Sequence, residues 1–167
     1  YLPEICTGVL FIENQDTYIQ ALEGIPKEVN ELALVYVSGF RGSAERIREN
    51  DGVSLHYKGS CDTTLKEQFE SWWFGNNKPK WPLFFWGDLD YSGMAILKTL
   101  RRRFGDIHAW SDGYAPLVEV LLNGGGHTPD LADKSEQLDP GNTGCEYADQ
   151  ELLPALRFHS RFVDQEY

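Results

Sequence analysis

The sequence predicts an α/β protein: a mostly parallel sheet of about four strands, helices on both faces, and a helical extension at the C-terminal end. Two observations carry this expectation. Short apolar runs rich in β-branched and aromatic residues recur along the chain, each continuous enough for a strand buried on both faces. Stretches with apolar residues at helical spacing separate them, and such alternation closes by right-handed crossovers into a parallel sheet.

The first run, Val9-Leu10-Phe11-Ile12, follows Gly8 and is stopped by Glu13-Asn14-Gln15-Asp16. Asp16 or Thr17 is placed to cap a helix through about Leu22, closed by Gly24 and Pro26. Leu32 to Val37 reads as the second strand, and the loop Ser38 to Ser43 leads into a helix at Ala44 to Arg48. Asn50 to Gly59 is turn-rich; Thr63 to Phe74 then carries Leu65, Phe69, Trp72 and Trp73 at helical spacing. Pro79 and Pro82 introduce the third strand, Leu83 to Trp86, and Gly87-Asp88-Leu89-Asp90-Tyr91-Ser92-Gly93 ends it. Ser92 and Gly93 open a helix whose apolar stripe is Met94, Leu97, Leu100 and Phe104. Ile107 to Trp110 is the fourth strand, and Tyr114 to Leu122 another helix, ended by Gly124-Gly125-Gly126. The stretch 123–144 is loop-like, and Tyr147 to Phe162 reads as one or two helices with Pro154 marking a start or kink.

A chain of 167 residues suits one domain, here with a core at about 8–122, a loop-rich 123–144 and a helical 145–167. Its 9 Phe, 8 Tyr and 5 Trp, spread along the chain, exclude intrinsic disorder, collagen-like repeats and coiled coil. No apolar run approaches the ~20 residues of a membrane span, so no membrane partner is expected. Cys6, Cys61 and Cys145 are odd in number and widely spaced, which disfavours a disulfide framework or zinc knuckle and suits the cytoplasm. Tyr1 stands where a start Met would, so the chain is expected to be a fragment of a longer protein. With 26 Asp and Glu against 15 Lys and Arg, the net charge of -11 opposes a sequence-independent grip on phosphate backbones. Contact with DNA would need bound divalent cations or a basic partner domain.

The acids concentrate where strands end. Asp88 and Asp90 are two apart on extended chain, so both side chains point to one side, and Gly87 leaves room for close approach. Two adjacent carboxylates repel unless a hard cation such as Mg²⁺ sits beside them. Glu13 completes the site if the first and third strands are neighbours. Taken alone, an Asp-x-Asp pair is more often a turn former or helix cap; three acids at strand ends of one α/β unit favour a metal site. Arg41, in the loop after the second strand, is a candidate phosphate ligand, the alternative being a solvated turn residue. Lys98, with Arg101 to Arg103, could track a DNA backbone or complement the helix dipole. His56, His108, His127 and His159 share no metal spacing. The three consecutive glycines lack the context of a P-loop. Trp72, Trp73 and Trp81 could stack on bases but flank core elements.

The order of Glu13 after a first strand and Asp88-x-Asp90-x-x-Gly93 after a later one resembles the Toprim fold of topoisomerases, primases and related nucleases, over about residues 8–122. More closely, Ile12-Glu13-Asn14 with Thr17-Tyr18, the Gly39-Phe40 loop, and Trp86-Gly87-Asp88-Leu89-Asp90-Tyr91-Ser92-Gly93-Met94-Ala95-Ile96-Leu97 resemble the C-terminal Toprim domain of the nuclease subunit of Wadjet plasmid-defence systems. The Wadjet nuclease is in turn similar to topoisomerase VI and its meiotic double-strand-break relatives. The tail, with Glu146, Leu152-Leu153 and Asp164-Gln165-Glu166, is similar too. Asn14 stands where many Toprim domains have Gly, which fits the Wadjet and topoisomerase VI branch.

The resemblance implies a Rossmann-like catalytic domain in which Asp88 and Asp90 hold Mg²⁺, or Mn²⁺ in its place. Glu13 then shares a metal or acts as general acid/base in phosphodiester cleavage. It also implies the partners: DNA, an upstream winged-helix-like domain of the same protein, SMC-type complex subunits, and a second copy in a homodimer. The topoisomerase branch takes its tyrosine nucleophile from a separate winged-helix domain, and no tyrosine here is assigned that role. The expected activity is therefore hydrolytic, a Mg-dependent DNA endonuclease acting against plasmid or foreign DNA. The alternatives are a non-catalytic Toprim scaffold and a D-x-D phosphatase-like enzyme with Asp88 as nucleophile; the latter usually carries its motif on the first strand.

Overall fold

Strands β1 (Gly8–Ile12), β2 (Leu32–Tyr36), β3 (Leu83–Trp86) and β4 (Ile107–Ala109) form one parallel sheet in the order β2-β1-β3-β4. This is the α/β architecture that the alternating pattern predicts. The computed structural model describes residues 1–24, 26–37, 47–48, 57, 62–75, 77–132 and 134–166. Arg41, His56, Cys61, the Gly39-Phe40 loop, the expected helix at 44–48 apart from Ile47 and Arg48, and the turn-rich 50–59 apart from Tyr57 lie outside the described residues.

Five α-helices are described: α1 (Gln15–Leu22), α2 (Thr63–Phe74), α3 (Tyr91–Phe104), α4 (Ser111–Leu122) and α5 (Leu153–His159). Short 3₁₀ turns occupy Lys27–Val29 and Pro129–Ala132, and a π-helical turn at Ala148–Leu152 leads into α5. That wide turn precedes Pro154, which lacks an N–H for the regular ladder.

β1 is buried at every position, as a central strand covered on both faces must be. The side chains of Phe11 and Phe85 share one face, since their residues are paired across β1 and β3. Phe11 lies 6.0 Å from Trp73 of α2 and 4.9 Å from Phe104 of α3, ring centre to ring centre. Phe69, Trp72 and Trp81 extend that cluster, so the tryptophans serve packing. Trp86, the next residue along β3, points to the opposite face. There it packs on Trp110 at 5.1 Å, with Gly113 of α4 so close that a Cβ would overlap the indole.

Several element starts depart from the sequence expectation, and capping explains most of them. Asn14, rather than Asp16 or Thr17, caps α1, its Oδ1 accepting from both of those backbone amides at 2.8 and 3.0 Å. α3 begins at Tyr91, ahead of Ser92, because Asp90 is the cap and accepts from the Gly93 N–H at 2.8 Å. β4 stops at Ala109, Trp110 flanks α4, and α4 starts at Ser111 rather than Tyr114, with Pro116 tolerated inside it at an exposed position. The last helix ends at His159, not Phe162. Phe162 and Val163 instead make antiparallel bridges to His127 and Leu89.

Candidate functional site

β1 and β3 are direct neighbours, and the chain runs from β1 to β2 on one side before returning to β3 on the other. The strand order therefore reverses between them, and the crevice beyond their carboxyl ends is where open α/β sheets place ligands. Glu13 follows β1 and Asp88 and Asp90 follow β3, so all three acids meet at that point. The ladder continues one step past the strands, Glu13 N–H donating to the Trp86 carbonyl at 3.0 Å. Glu13 is thus set beside Gly87, and its Oε2 accepts from the Asp88 N–H at 3.2 Å.

The glycines of this turn are there for space. A Cβ on Gly87 would overlap Glu13 Oε2, and one on Gly93 would overlap the Asp88 carbonyl. Below the turn, the fully buried Tyr114 of α4 accepts the Gly87 N–H on its hydroxyl at 3.0 Å. Burial, reinforced by the Glu13 charge, pushes that phenol well above its ordinary range. Tyr114 fixes the turn from beneath.

The carboxylates are held individually. Asp90, 1% exposed, uses Oδ1 to cap α3 and turns Oδ2 toward the crevice, where Gln137 Nε2 donates at 2.9 Å and Lys134 Nζ lies at 2.8 Å. Asp88 accepts the Gln165 N–H on Oδ1 at 2.8 Å and faces Lys134 Nζ with Oδ2 at 2.9 Å. Asp164 Oδ1 completes the circle around Lys134 Nζ at 2.8 Å. The tail reaches this place through the paired backbone of Leu89 and Val163, and Gln165 Oε1 accepts from the Asn14 N–H at 3.1 Å.

These surroundings set the electrostatics. Burial above all, then the charges of Asp88 and Asp90, push the Glu13 carboxyl up to about 8, against the opposing Asp88 N–H and Lys134. Burial also raises Asp88, partly offset by Lys134 and the Gln165 N–H. Lys134 is desolvated, which lowers its pKa, but the aspartates around it more than reverse this and hold it charged.

Among the described residues, no three His, Cys, Asp or Glu side chains form a ready-made metal set. The point on which Asp88 and Asp90 converge is taken by the Lys134 ammonium. Their chemistry nonetheless fits a hard divalent cation, since both direct Oδ2 at a single cationic centre. Glu13 meets Asp88 at the Asp88 N–H rather than at its carboxylate, and lies close enough to Asp88, Asp90 and Lys134 to feel their charges. Lys98 lies apart from the acids and donates to the Pro140 carbonyl at 2.5 Å.

Sequence reasoning did not assign Lys134, Gln137 or Tyr114. The first two sit in the aperiodic stretch after α4, where no spacing signals which long side chain will reach back. Tyr114 reads as one more apolar residue of its helix. Asp164 and Gln165 were visible only as part of a family-like tail. No helix among the described residues is long and apolar enough to cross a membrane. The family model for the C-terminal region of the Wadjet protein JetD matches residues 2–111. Comparison with curated proteins and with solved structures gives no match.

Proposed function

Since the chain belongs to the family of the Wadjet protein JetD C-terminal region, we propose that it is the catalytic domain of a metal-dependent DNA endonuclease directed against plasmid DNA. The observation that carries this reading is the meeting of Glu13, Asp88 and Asp90 at the reversal of strand order. Asp88 and Asp90 would hold Mg²⁺ or Mn²⁺ through the Oδ2 atoms now turned to Lys134. Such an ion, when bound, polarises a phosphoryl oxygen and acidifies a bound water.

The chain's own groups supply the rest. Glu13, buried beside the aspartates with its carboxyl raised in the metal-free chain, is the group placed to take up or give a proton as a general acid/base. The Ser92 N–H, at the amino end of α3, is an amide able to orient a phosphate oxygen. Gly87 and Gly93 keep Cβ atoms away from the carboxylates, and Tyr114 holds the turn that carries them. DNA, an upstream domain and the other subunits of a Wadjet complex are the expected partners.

The test is cleavage of supercoiled plasmid by the full-length protein with its partner subunits in Mg²⁺ or Mn²⁺. Cut plasmid is expected, and Asp88→Asn should abolish it. Plasmid left intact by every assembly would overturn the reading. One observation favours a scaffold instead: Lys134 already neutralises the acids, as in a structural ion-pair network. Metal binding without cleavage in any assembly would select that alternative.

A further inference from the structure

The stretch after α4 folds back over the acids and fills the crevice with groups resembling those a metal-dependent phosphodiester cleavage requires. Lys134 Nζ lies 2.9, 2.8 and 2.8 Å from oxygens of Asp88, Asp90 and Asp164. Its side chain is only 20% exposed, so the positive charge is inside the crevice rather than over it. Three residues on, Gln137 is engaged at both ends of its amide. Nε2 donates to Asp90 Oδ2 at 2.9 Å, and Oε1 accepts the Ser92 N–H at 3.0 Å. An acceptor oxygen on that helix-terminal amide stands where a phosphate oxygen would be favoured. Beyond Gln137, Arg157 clasps Asp139 through two bonds of 2.7 and 2.8 Å, and Lys98 holds the Pro140 carbonyl.

We propose that the strap 134–140 is an internal competitor of the site: in the metal-free protein Lys134 holds the divalent-cation position and Gln137 the phosphate position, and both are displaced when metal and DNA backbone enter. The inference rests on the endonuclease reading, since it takes the acids to be metal ligands. Mutual exclusion follows from the distances. An ammonium within hydrogen-bond reach of Asp88 Oδ2 and Asp90 Oδ2 cannot share those oxygens with a divalent cation without placing two positive charges in contact. Asp90 has no other oxygen to offer, because Oδ1 caps α3. Release is local: the strap lies outside the sheet and the α-helices, its bonds to the acids and to α3 and α5 are made by side chains of Lys98, Lys134, Gln137, Asp139 and Arg157, and the Lys134 N–H and Ser135 Oγ bond only to the neighbouring turn at Pro129 and Asp130. A site open for only a fraction of the time binds metal more weakly by that same fraction, so removing the competitor tightens binding.

The test is a calorimetric Mn²⁺ titration of the chain, of Lys134→Met, of Gln137→Ala and of Asp88→Asn, with amide hydrogen exchange over residues 134–140 in the unsubstituted chain. The expected result is Mn²⁺ binding lost in Asp88→Asn, tightened roughly tenfold or more in Lys134→Met and to a lesser degree in Gln137→Ala. Saturating Mn²⁺ should also speed exchange in the strap. Binding seen in Lys134→Met but too weak to detect in the unsubstituted chain supports the proposal equally. Asp88-dependent binding that is unchanged or weaker in Lys134→Met, with exchange unaltered by Mn²⁺, overturns it while leaving the endonuclease reading standing. Absence of binding in every protein, Lys134→Met included, with a short duplex present, overturns this proposal, and the plasmid assay then decides the endonuclease reading. Should Lys134→Met fail to fold, Gln137→Ala and the exchange measurement decide, because neither removes a charged group.

Discussion

Glu13 keeps its proton in the folded, metal-free chain up to about pH 8, whereas the unfolded chain loses it near the ordinary value of 4.5. Between those values the folded state binds more protons, so stability falls as pH rises through that window. The penalty is complete above pH 8 and is on the order of 5 kcal/mol. Asp88, also raised by burial, adds a contribution of the same sign. Thermal melts from pH 5 to 8 in EDTA are therefore expected to show a falling Tm, with a clearly shallower fall in Glu13→Gln. Equal slopes for the two proteins would show that Glu13 ionises as it does in water. The acids themselves were readable from the sequence because each interrupts an apolar run, whereas Lys134 was not. A lysine in an aperiodic loop has no register, and only the folded path shows which carboxylates it reaches.

Strand β1 and the helices over it carry most of the order that positions these groups. Phe11 is fully buried, with its ring against Trp73 and Phe104. Truncation leaves a cavity that the rigid aromatic neighbours cannot fill. Phe11→Ala is expected to cost about 3 to 5 kcal/mol, whereas Phe158→Ala, at an 84% exposed site on α5, should change stability by less than about 0.5 kcal/mol. Urea unfolding of both variants checks the pair, and similar costs would mean that this aromatic cluster does not anchor the sheet. α2 and β3 have the bounds that the sequence predicts, since Gly75, Pro82 and Gly87 punctuate them. The starts of α1 and α3 were misplaced because a cap depends on which side chain turns back to the amides, whereas α4 begins at Ser111 behind Trp110 with no side-chain cap to mark it. At Asn14 and Asp90 the capping residue was read as part of the loop. The tail's pairing with Leu89 joins residues far apart in the chain, and no local pattern encodes it.

Adjacency of β1 and β3 is what brings three separate acids to one end of the sheet, and the sequence could state it only as a condition. Strand order is fixed by packing of the crossovers, not by any single run. The same topology concentrates negative charge in a chain whose 26 acids outnumber its 15 basic residues. A duplex approaching the crevice meets repulsion from the molecule as well as from the site, and the Lys134 charge is already spent on three carboxylates. Without cations to offset this, the chain alone should bind duplex DNA more weakly than about 10⁻⁴ M near physiological salt, below the range of ordinary non-specific binders. Under the proposed reading, Mn²⁺ bound at the aspartates would offset two negative charges on the path of the backbone, so it should strengthen binding in the unsubstituted chain but not in Asp88→Asn. Fluorescence anisotropy of a labelled duplex in EDTA and in Mn²⁺, across a salt series, makes both comparisons. A tight complex in EDTA that resists added salt would mean that a basic surface or base stacking, rather than the metal-loaded acids, brings DNA to this domain.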